Sequence, residues 1–301
     1  MIANWARSVS ARVRQRASAS IRHSAGLTKM PPPRCNDRAK AYSEVDGVAR
    51  LVHGDLPSML VGGLASLFFQ MLHPYAMAGV ADHSRYQEDP LGRLLQTANF
   101  INATTYGSAE QAREAIDRVL NVHRFVHGVA DDGEPYDAND PHLLLWVHCA
   151  EISMFLSGYQ RFGAQQISDE DADSYVREMI PLARDLGVLD PPTSVAELNA
   201  TILRFRPELR LSVAGVVARD FIARSVVKSR SQRFTYRLLV LSAWSLLAPW
   251  AQELLGVRTN KAVDRLVIRP STKIVSYLMR LAVAPQPRYV TMESPPSTTT
   301  T

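Results

Sequence analysis

Cysteine is nearly absent from this chain of 301 residues. The two cysteines, Cys35 and Cys149, are too few for a disulfide framework and too far apart for a C-x-x-C metal or redox motif. Proteins without disulfides are typical of reducing compartments, so we expect a cytoplasmic protein.

Glycine is also scarce, with 15 residues, and no segment of the sequence repeats another. The lack of a repeat argues against a solenoid or an array. Hydrophobic residues make up 46% of the chain, which is enough for a substantial core. Few glycines and long stretches with the period of a helix predict a single all-α domain.

The first 40 residues lack an apolar run, which excludes a secretory signal peptide. They contain nine Lys or Arg and one acidic residue, and they are rich in serine. We expect a disordered basic arm over residues 1–40, with a transit peptide or a lipid-contacting arm as alternatives. Residues 285–301 are expected to form a disordered tail, so the helical domain spans residues 41–284.

Nucleic-acid binding is not expected, although the net charge is +5. The excess of positive charge comes largely from the N-terminal arm, and aromatic residues are not interleaved with the basic ones. Peripheral membrane contact through the basic termini stays open, and so does the oligomeric state.

Residues 61–80 form an almost wholly apolar run, about as long as a membrane span. The run is interrupted by His73 and Pro74, and charged residues follow closely. We therefore expect a buried core helix that ends or kinks at Pro74.

The segment 109–127 is predicted to be an amphipathic helix at the centre of the candidate site. Its apolar face is formed at steps of three and four residues by Ile116, Val119, Leu120, His123 and Val126. His127 lies one turn beyond His123, and Gly128 is a candidate C-terminal stop. A buried imidazole needs hydrogen-bond partners or a ligand, so His123 is either a satisfied core residue or a binding residue.

Arg93 and Thr97 lie one turn apart on the preceding predicted helix, which begins at Asp89 and Pro90. Arg93 is next to leucines, and no acidic residue follows one turn later. Because a guanidinium stays charged, it needs an anion, either a distant Asp or Glu or the carboxylate or phosphate of a ligand.

A further helix is predicted after Pro141, capped by Asn139 or Asp140. His148 shares one face of it with Leu144, Ile152, Phe155 and Tyr159. We interpret His148 as a core residue or as a wall of the pocket around His123.

Three ordered blocks of the chain carry a resemblance to a known family. They read LFFQMLHPYAMAGVADHSRYQEDPLGRLLQT, HRFVHG and DGEPYDANDPHLLLWVH. This pattern resembles the DUF2236 family of MpaB-like oxygenases, which is distantly related to the latex clearing proteins. The resemblance implies an all-helical fold with a globin-like core around a buried haem b, which characterised members use with dioxygen to cleave isoprenoid double bonds.

The resemblance also implies roles for individual residues. His123 matches the proximal iron ligand, and Arg93 and Thr97 match the arginine and threonine beside the haem. His73 and His148 become candidates for the lining of the haem pocket.

One position departs from the family pattern. Latex clearing proteins use a glutamate upstream of the arginine as a catalytic base, whereas the residues around Met77, at the matching place, are apolar. His83 also lies in a family-typical block and is a candidate for the open side of the pocket.

The resemblance therefore predicts a haem b-dependent oxygenase acting on a hydrophobic substrate, isoprenoid or lipid-like. One alternative is a non-haem metal hydrolase, because the H-x-x-x-H spacing of His123 and His127 would put both imidazoles on one helix face. Arg124 takes the place of the general-base glutamate in that motif. A second alternative is a haem-binding or lipid-binding protein without turnover.

Overall fold

The computed structural model describes residues 34–224 and 230–282. Within these ranges the chain is mainly helical, with a one-turn 3₁₀ segment at Arg206–Glu208 and a π-helical turn at Asp264–Ile268. The α-helices are α1 (Val48–Gly54), α2 (Leu56–Gln70), α3 (Pro74–His83), α4 (Pro90–Tyr106), α5 (Ala109–His123), α6 (Pro141–Phe162), α7 (Asp169–Glu178), α8 (Ile180–Asp185), α9 (Val195–Phe205), α10 (Val213–Arg224), α11 (Arg230–Leu246), α12 (Pro249–Leu254), α13 (Lys261–Val263) and α14 (Arg269–Ala282).

The described residues form one short antiparallel hairpin besides these helices. Strand β1 (His127–Val129) pairs with β2 (Pro135–Asp137), and Gly128 lies opposite Tyr136. The predicted all-α, single-domain class is confirmed by this architecture, while the globin-like arrangement of its core stays a prediction.

The core is built on α2 and α6, which pack along each other's length. They approach most closely at two glycines. A Cβ added to Gly62 would lie 2.7 Å from the Met154 carbonyl oxygen, and one added to Gly158 would lie 2.9 Å from the Gly62 Cα. Large side chains are fully buried around this contact, among them Phe68, Trp146, Ile152, Tyr159 and Phe162. Burying each such side chain stabilises the fold by about 1.5–3 kcal/mol.

The remaining helices surround this pair. Helix α11 packs on α2, and α14 contacts α2, α6 and α11. Helices α4 and α5 form a helical hairpin, and α4 packs on α1. Within residues 34–224 neither α4 nor α5 packs extensively against α6, so the hairpin stands off from the centre of the core.

Two helix starts follow local signals in the sequence. Asp89 caps α4 by accepting a 2.9 Å hydrogen bond from the Gly92 N–H, with Pro90 in the first turn. Asp140 caps α6 in the same way, accepting from the His142 N–H at 2.9 Å. The predictions of both starts are confirmed, because capping depends only on neighbouring residues.

Helix α5 ends one turn earlier than the sequence predicts. It stops at His123, whose carbonyl oxygen accepts a 3.1 Å hydrogen bond from the Asn139 side chain. His127 and Gly128 lie in β1. The prediction of a helix through His127 with a stop at Gly128 is wrong, because pairing with β2 directs the chain away from the helix axis.

The apolar run 61–80 forms two consecutive helices. Helix α2 ends at Gln70, and Pro74 opens α3 with His73 as its N-cap. The prediction of a buried core helix that ends before Pro74 is confirmed. Among the described residues, no individual helix has both the length and the hydropathy of a membrane span, and only α1 and α2 together, bent by 89°, meet that test.

Most of the predicted N-terminal arm and the whole predicted tail lie outside the described residues. Residues 34–41 run along the junction of α4 and α5. The Cys35 N–H donates to the Tyr106 carbonyl and the Ala109 N–H to the Lys40 carbonyl, both at 2.7 Å. The Arg34 guanidinium lies 4.1 Å from the centre of the Tyr106 ring.

Candidate functional site

The candidate site begins with Arg93 and Thr97 on α4. The Thr97 hydroxyl donates a 3.2 Å hydrogen bond to the Arg93 carbonyl, so both residues lie on one helix face, as predicted from their spacing. The Arg93 guanidinium has no hydrogen-bond or ion-pair partner among residues 34–224 and 230–282. Its nearest acidic influence is Glu151 on α6.

Arg93 combines an exposed side chain with a lowered pKa. Its side chain is accessible to water, yet burial among protein atoms is the largest influence on the pKa of Arg93 and lowers it. The side chain thus has protein atoms around part of it, with Glu151 of α6 close enough to influence its charge. From these two observations we infer a cleft between the α4–α5 hairpin and α6.

Glu151 is the opposite wall of this cleft. It is half-buried, and burial raises the pKa of its carboxyl group to about 7, although the nearby Arg93 charge lowers it. It makes no side-chain hydrogen bond with the described residues. A carboxyl group with this pKa exchanges its proton near neutral pH, as general acids and bases do.

His123 lies at the C-terminal end of α5, half-buried beside Arg93. Its buried Nδ1 has no hydrogen-bond partner, and neither ring nitrogen pairs with any part of the chain that the structure describes. Burial lowers the pKa of His123, and the Arg93 charge lowers it further, while Asp137 opposes both. The imidazole is therefore neutral at pH 7, with its nitrogens available to a ligand.

His148 is buried one turn before Glu151, and its Nε2 also lacks a partner among the described residues. Burial lowers the pKa of His148 to about 4. This position agrees with the prediction that His148 points inward from α6. His148 and Glu151 together put two polar groups into an otherwise apolar helix.

His53 on α1 is a half-buried histidine with a partner at each ring nitrogen. His53 Nδ1 is 2.8 Å from the Thr105 hydroxyl, and its Nε2 is 3.0 Å from the Tyr175 hydroxyl. The Glu151 charge contributes to raising the pKa of Tyr175. The sequence analysis did not identify His53, because its partners come from α4 and α7, far away along the chain.

Thr105 also borders a separate cavity of about 350 Å³. Its walls include Tyr42, Thr105 and Glu178. Arg93, His123 and Glu151 are not among its lining residues, so this cavity is distinct from the cleft.

Two other candidate histidines lie elsewhere. His73 is buried with both ring nitrogens unpaired, between Trp146 and Phe205, and its Nε2 is 3.8 Å from Glu208. His83 is exposed, and its Nε2 is 3.3 Å from the His127 carbonyl oxygen. Neither histidine contacts Arg93 or His123, and a role for His73 in the pocket stays a prediction.

The H-x-x-x-H pair does not form the arrangement that a zinc protease needs. His123 ends α5, whereas His127 is exposed in β1, so the two imidazoles do not share a helix face. Among the described residues, no group of three or more His, Cys, Asp or Glu side chains is arranged to hold a metal ion. The geometry therefore does not support the non-haem hydrolase.

One protein family matches most of the chain. Its model, described as "ER-bound oxygenase mpaB/B'/Rubber oxygenase, catalytic domain", matches residues 50–284. The chain belongs to this family. Comparisons with curated proteins and with solved structures find no similar protein. Arg93, Thr97, His123 and Glu151 all lie within the mpaB/rubber oxygenase domain, so the cleft belongs to the catalytic region of an oxygenase family.

Glu151 is the residue of the cleft that the sequence analysis missed. A signal for it exists, because Glu151 is the one charged residue between positions 143 and 160, in an otherwise apolar stretch. A lone acid on a core helix needs a partner or a function. In this mpaB/rubber oxygenase domain, the acidic group nearest to Arg93 thus comes from α6, although it forms no ion pair with Arg93.

Proposed function

We propose that this protein is a haem b-dependent oxygenase that acts on a hydrophobic substrate, with His123 as the proximal iron ligand. The observation that carries the proposal is the placement of an unpaired neutral imidazole, His123, beside an unpaired guanidinium, Arg93, in one cleft. Metal ligation requires a neutral imidazole, and anion binding requires a free cation.

These residues fit a haem for three reasons. His123 leaves both ring nitrogens free among the described residues, and one protein ligand suffices for a haem iron. Arg93 has no protein partner within hydrogen-bonding distance, which suits a propionate carboxylate. The α4–α5 hairpin does not pack extensively against α6, so little existing packing opposes a group bound between them.

Haem b, when bound, supplies an iron that binds and activates dioxygen. The protein's own contribution is positioning and proton control. Arg93 would hold an anionic group of the cofactor or donate hydrogen bonds on its open side. Thr97, one turn away on the same face of α4, would shape that side of the cleft.

Glu151 would hold or release the proton that the reaction needs. The site of the glutamate used by latex clearing proteins is apolar here, and Met77 is buried. Glu151 offers a carboxyl group from α6 instead, with a pKa of about 7. Its half-buried position lets it exchange protons with solvent.

Apolar side chains on the α4–α5 hairpin favour a hydrophobic substrate. Leu94 is next to Arg93, and Val122 and Phe125 flank His123; all three are exposed. The apolar residues of α2, by contrast, are packed in the core against α6 and α11. An isoprenoid or lipid-like molecule would therefore meet the apolar residues of the hairpin first.

The proposal is tested by the absorbance spectrum of the purified protein supplied with haem b. We expect an intense Soret band that is lost in His123→Ala and kept in His127→Ala, a matched control because His127 is exposed on β1. A colourless wild-type protein with stoichiometric zinc would contradict the proposal. Oxygen consumption with isoprenoid substrates then separates an oxygenase from a haem carrier.

Arg93 can be tested on the same preparation. We expect Arg93→Ala to lose haem more readily, or to consume oxygen more slowly, without a change in helical content by circular dichroism. Arg93→Lys keeps the charge but not the planar guanidinium group. It should therefore recover haem retention and oxygen consumption only in part. Wild-type haem retention and turnover in Arg93→Ala would contradict this placement.

A further inference from the structure

Helix α14 presents its apolar side to solvent. Leu266 is 74% exposed and Ile274 is 61% exposed. We call this surface the outer face of α14; it consists of Leu266 and Val267 in the preceding π-helical turn and of Ile274, Tyr277, Leu278 and Leu281 in α14, all exposed. In an ordinary surface helix, the apolar stripe would face the core.

The inner side of α14 is small and polar instead. Thr272 and Ser276 are buried, at 5% and 3% exposure. The Thr272 hydroxyl lies 2.6 Å from the Ser242 hydroxyl of α11. Helix α14 therefore contacts the core through hydroxyl groups, and its apolar face is left for another partner.

The orientation of α14 is held by an ion pair at its C-terminal end. Arg280 donates to both carboxylate oxygens of Asp55 and to the Phe162 carbonyl. Bidentate pairs of this kind fix geometry as well as adding energy. Rotating α14 to bury its outer face would break this contact.

Cationic residues accompany the outer face. Residues 261–282 contain five Lys or Arg and one acidic residue. That acid, Asp264, is buried and pairs with Arg269 at 3.3 Å. Lys261, Arg265 and Lys273 are exposed and have no ion pair with the described residues. The neighbourhood of the apolar face is thus positively charged.

We propose that the outer face of α14 docks on the surface of an anionic lipid bilayer. The exposed aliphatic side chains would enter the boundary between headgroups and acyl chains, and the free cations would meet lipid phosphates. Tyr277 suits the headgroup level, because its ring is apolar and its hydroxyl is polar. This inference is independent of haem and of the cleft.

Charge disfavours two other occupants of this face. A two-fold contact between two copies would bring the same cationic residues together. Residues 1–33 contain six Lys or Arg and no acid, so their docking would meet the same repulsion. An anionic bilayer satisfies both the apolar and the charged parts of the surface.

The first test is sedimentation of the full-length protein with phosphatidylcholine vesicles, with and without phosphatidylglycerol. We expect binding to the anionic vesicles that weakens with salt, and a loss of about tenfold or more in the double variant Ile274→Ser, Leu278→Ser. The matched control is Leu203→Ser on α9, since Leu203 is 55% exposed. Unchanged binding of the double variant would overturn the proposal.

A second test separates docking of α14 from docking of the basic arm. A polarity-sensitive fluorophore is attached at Leu278→Cys, in a Cys35→Ser background, with a label at Leu203→Cys as control. We expect a blue shift of the Leu278 label only when anionic vesicles are added. A blue shift without lipid, accompanied by dimers in analytical ultracentrifugation, would assign the face to self-association and overturn the proposal, as would no shift at all.

Discussion

Glu151 shows how a single buried carboxyl group couples the cleft to pH. Its pKa is raised by burial from 4.5 to about 7 in the folded protein. Between these values the folded state holds a proton that the unfolded chain releases. The protonated Glu151 therefore contributes to the stability of the fold at low pH. This contribution is lost as the pH rises through about 7.

The raised pKa of Glu151 predicts a pH-dependent effect of Glu151→Gln. Because glutamine cannot ionise, the variant should be more stable than the wild type by about 1–3 kcal/mol near pH 8, and equally stable near pH 4.5. Urea unfolding of the apo-protein at both pH values measures the difference, with the exposed Glu134→Gln as control. The same difference at both pH values would contradict the raised pKa.

The residues of the cleft were only partly predictable from the sequence. Arg93 and Thr97 share a face because their spacing is local, and His123 follows from the periodicity of α5. Glu151 lies more than fifty residues after Arg93 in the chain. No local rule connects the two positions, so the acidic neighbour of Arg93 is apparent only from the three-dimensional structure.

Among the helices, the contact between α2 and α6 depends on the absence of side chains at two positions. A Cβ on Gly62 would lie within 2.7 Å of backbone, whereas the nearest atom to a Cβ on Gly63 is a Phe155 side-chain atom at 3.8 Å. The first substitution forces the helices apart, and the second meets ordinary van der Waals contact.

We therefore predict opposite effects for two neighbouring glycines. Gly62→Ala should lower the free energy of unfolding by about 1–3 kcal/mol through overpacking. Gly63→Ala should leave it unchanged or raise it by about 0.5–1 kcal/mol, because alanine restricts the unfolded chain and favours the helix. Urea unfolding measures the stability of both variants. Equal effects of the two substitutions would contradict the close backbone contact at Gly62.

Helix starts were more predictable than helix ends. Asp89 and Asp140 cap their helices through residues two or three positions away, which is information that the sequence contains locally. The end of α5 depends on the Asn139 side chain and on the pairing of His127 with Asp137. These partners lie across a hairpin that periodicity alone does not reveal.

At the scale of the whole molecule, three histidines of the described residues are held in the neutral state: His73 and His148 are buried, and His53 is half-buried. Burial lowers the pKa of His53, His73 and His148 to about 4 each. The stability that each contributes is complete above its unfolded pKa of 6.5 and is lost as the pH falls toward about 4. Glu151 has the opposite effect on stability as the pH falls, but it is a single group, whereas the histidines are three.

The apo-protein should therefore lose about 1–4 kcal/mol of stability between about pH 7.5 and pH 5. In His148→Gln this loss should be smaller by about 1–2 kcal/mol, because glutamine cannot be protonated. Exposed His127→Gln is the control. Stability that stays constant over this range would contradict the neutral state of the buried histidines.

The fold class of the molecule followed from composition and periodicity, because hydrophobic content and helical period are properties of the chain itself. The orientation of α14, with its apolar side toward solvent, did not follow from these properties. Its sequence is amphipathic, but which side faces the core is decided by Arg280 with Asp55 and by Thr272 with Ser242, and these partners are distant along the chain.

The central claim, that His123 holds the iron of a haem, is tested most directly by His123→Gly with added imidazole. The account predicts that the variant supplied with haem b loses the absorbance spectrum of a histidine-ligated haem, and that free imidazole restores it by occupying the vacated space. A wild-type spectrum in His123→Gly before imidazole is added would contradict the account.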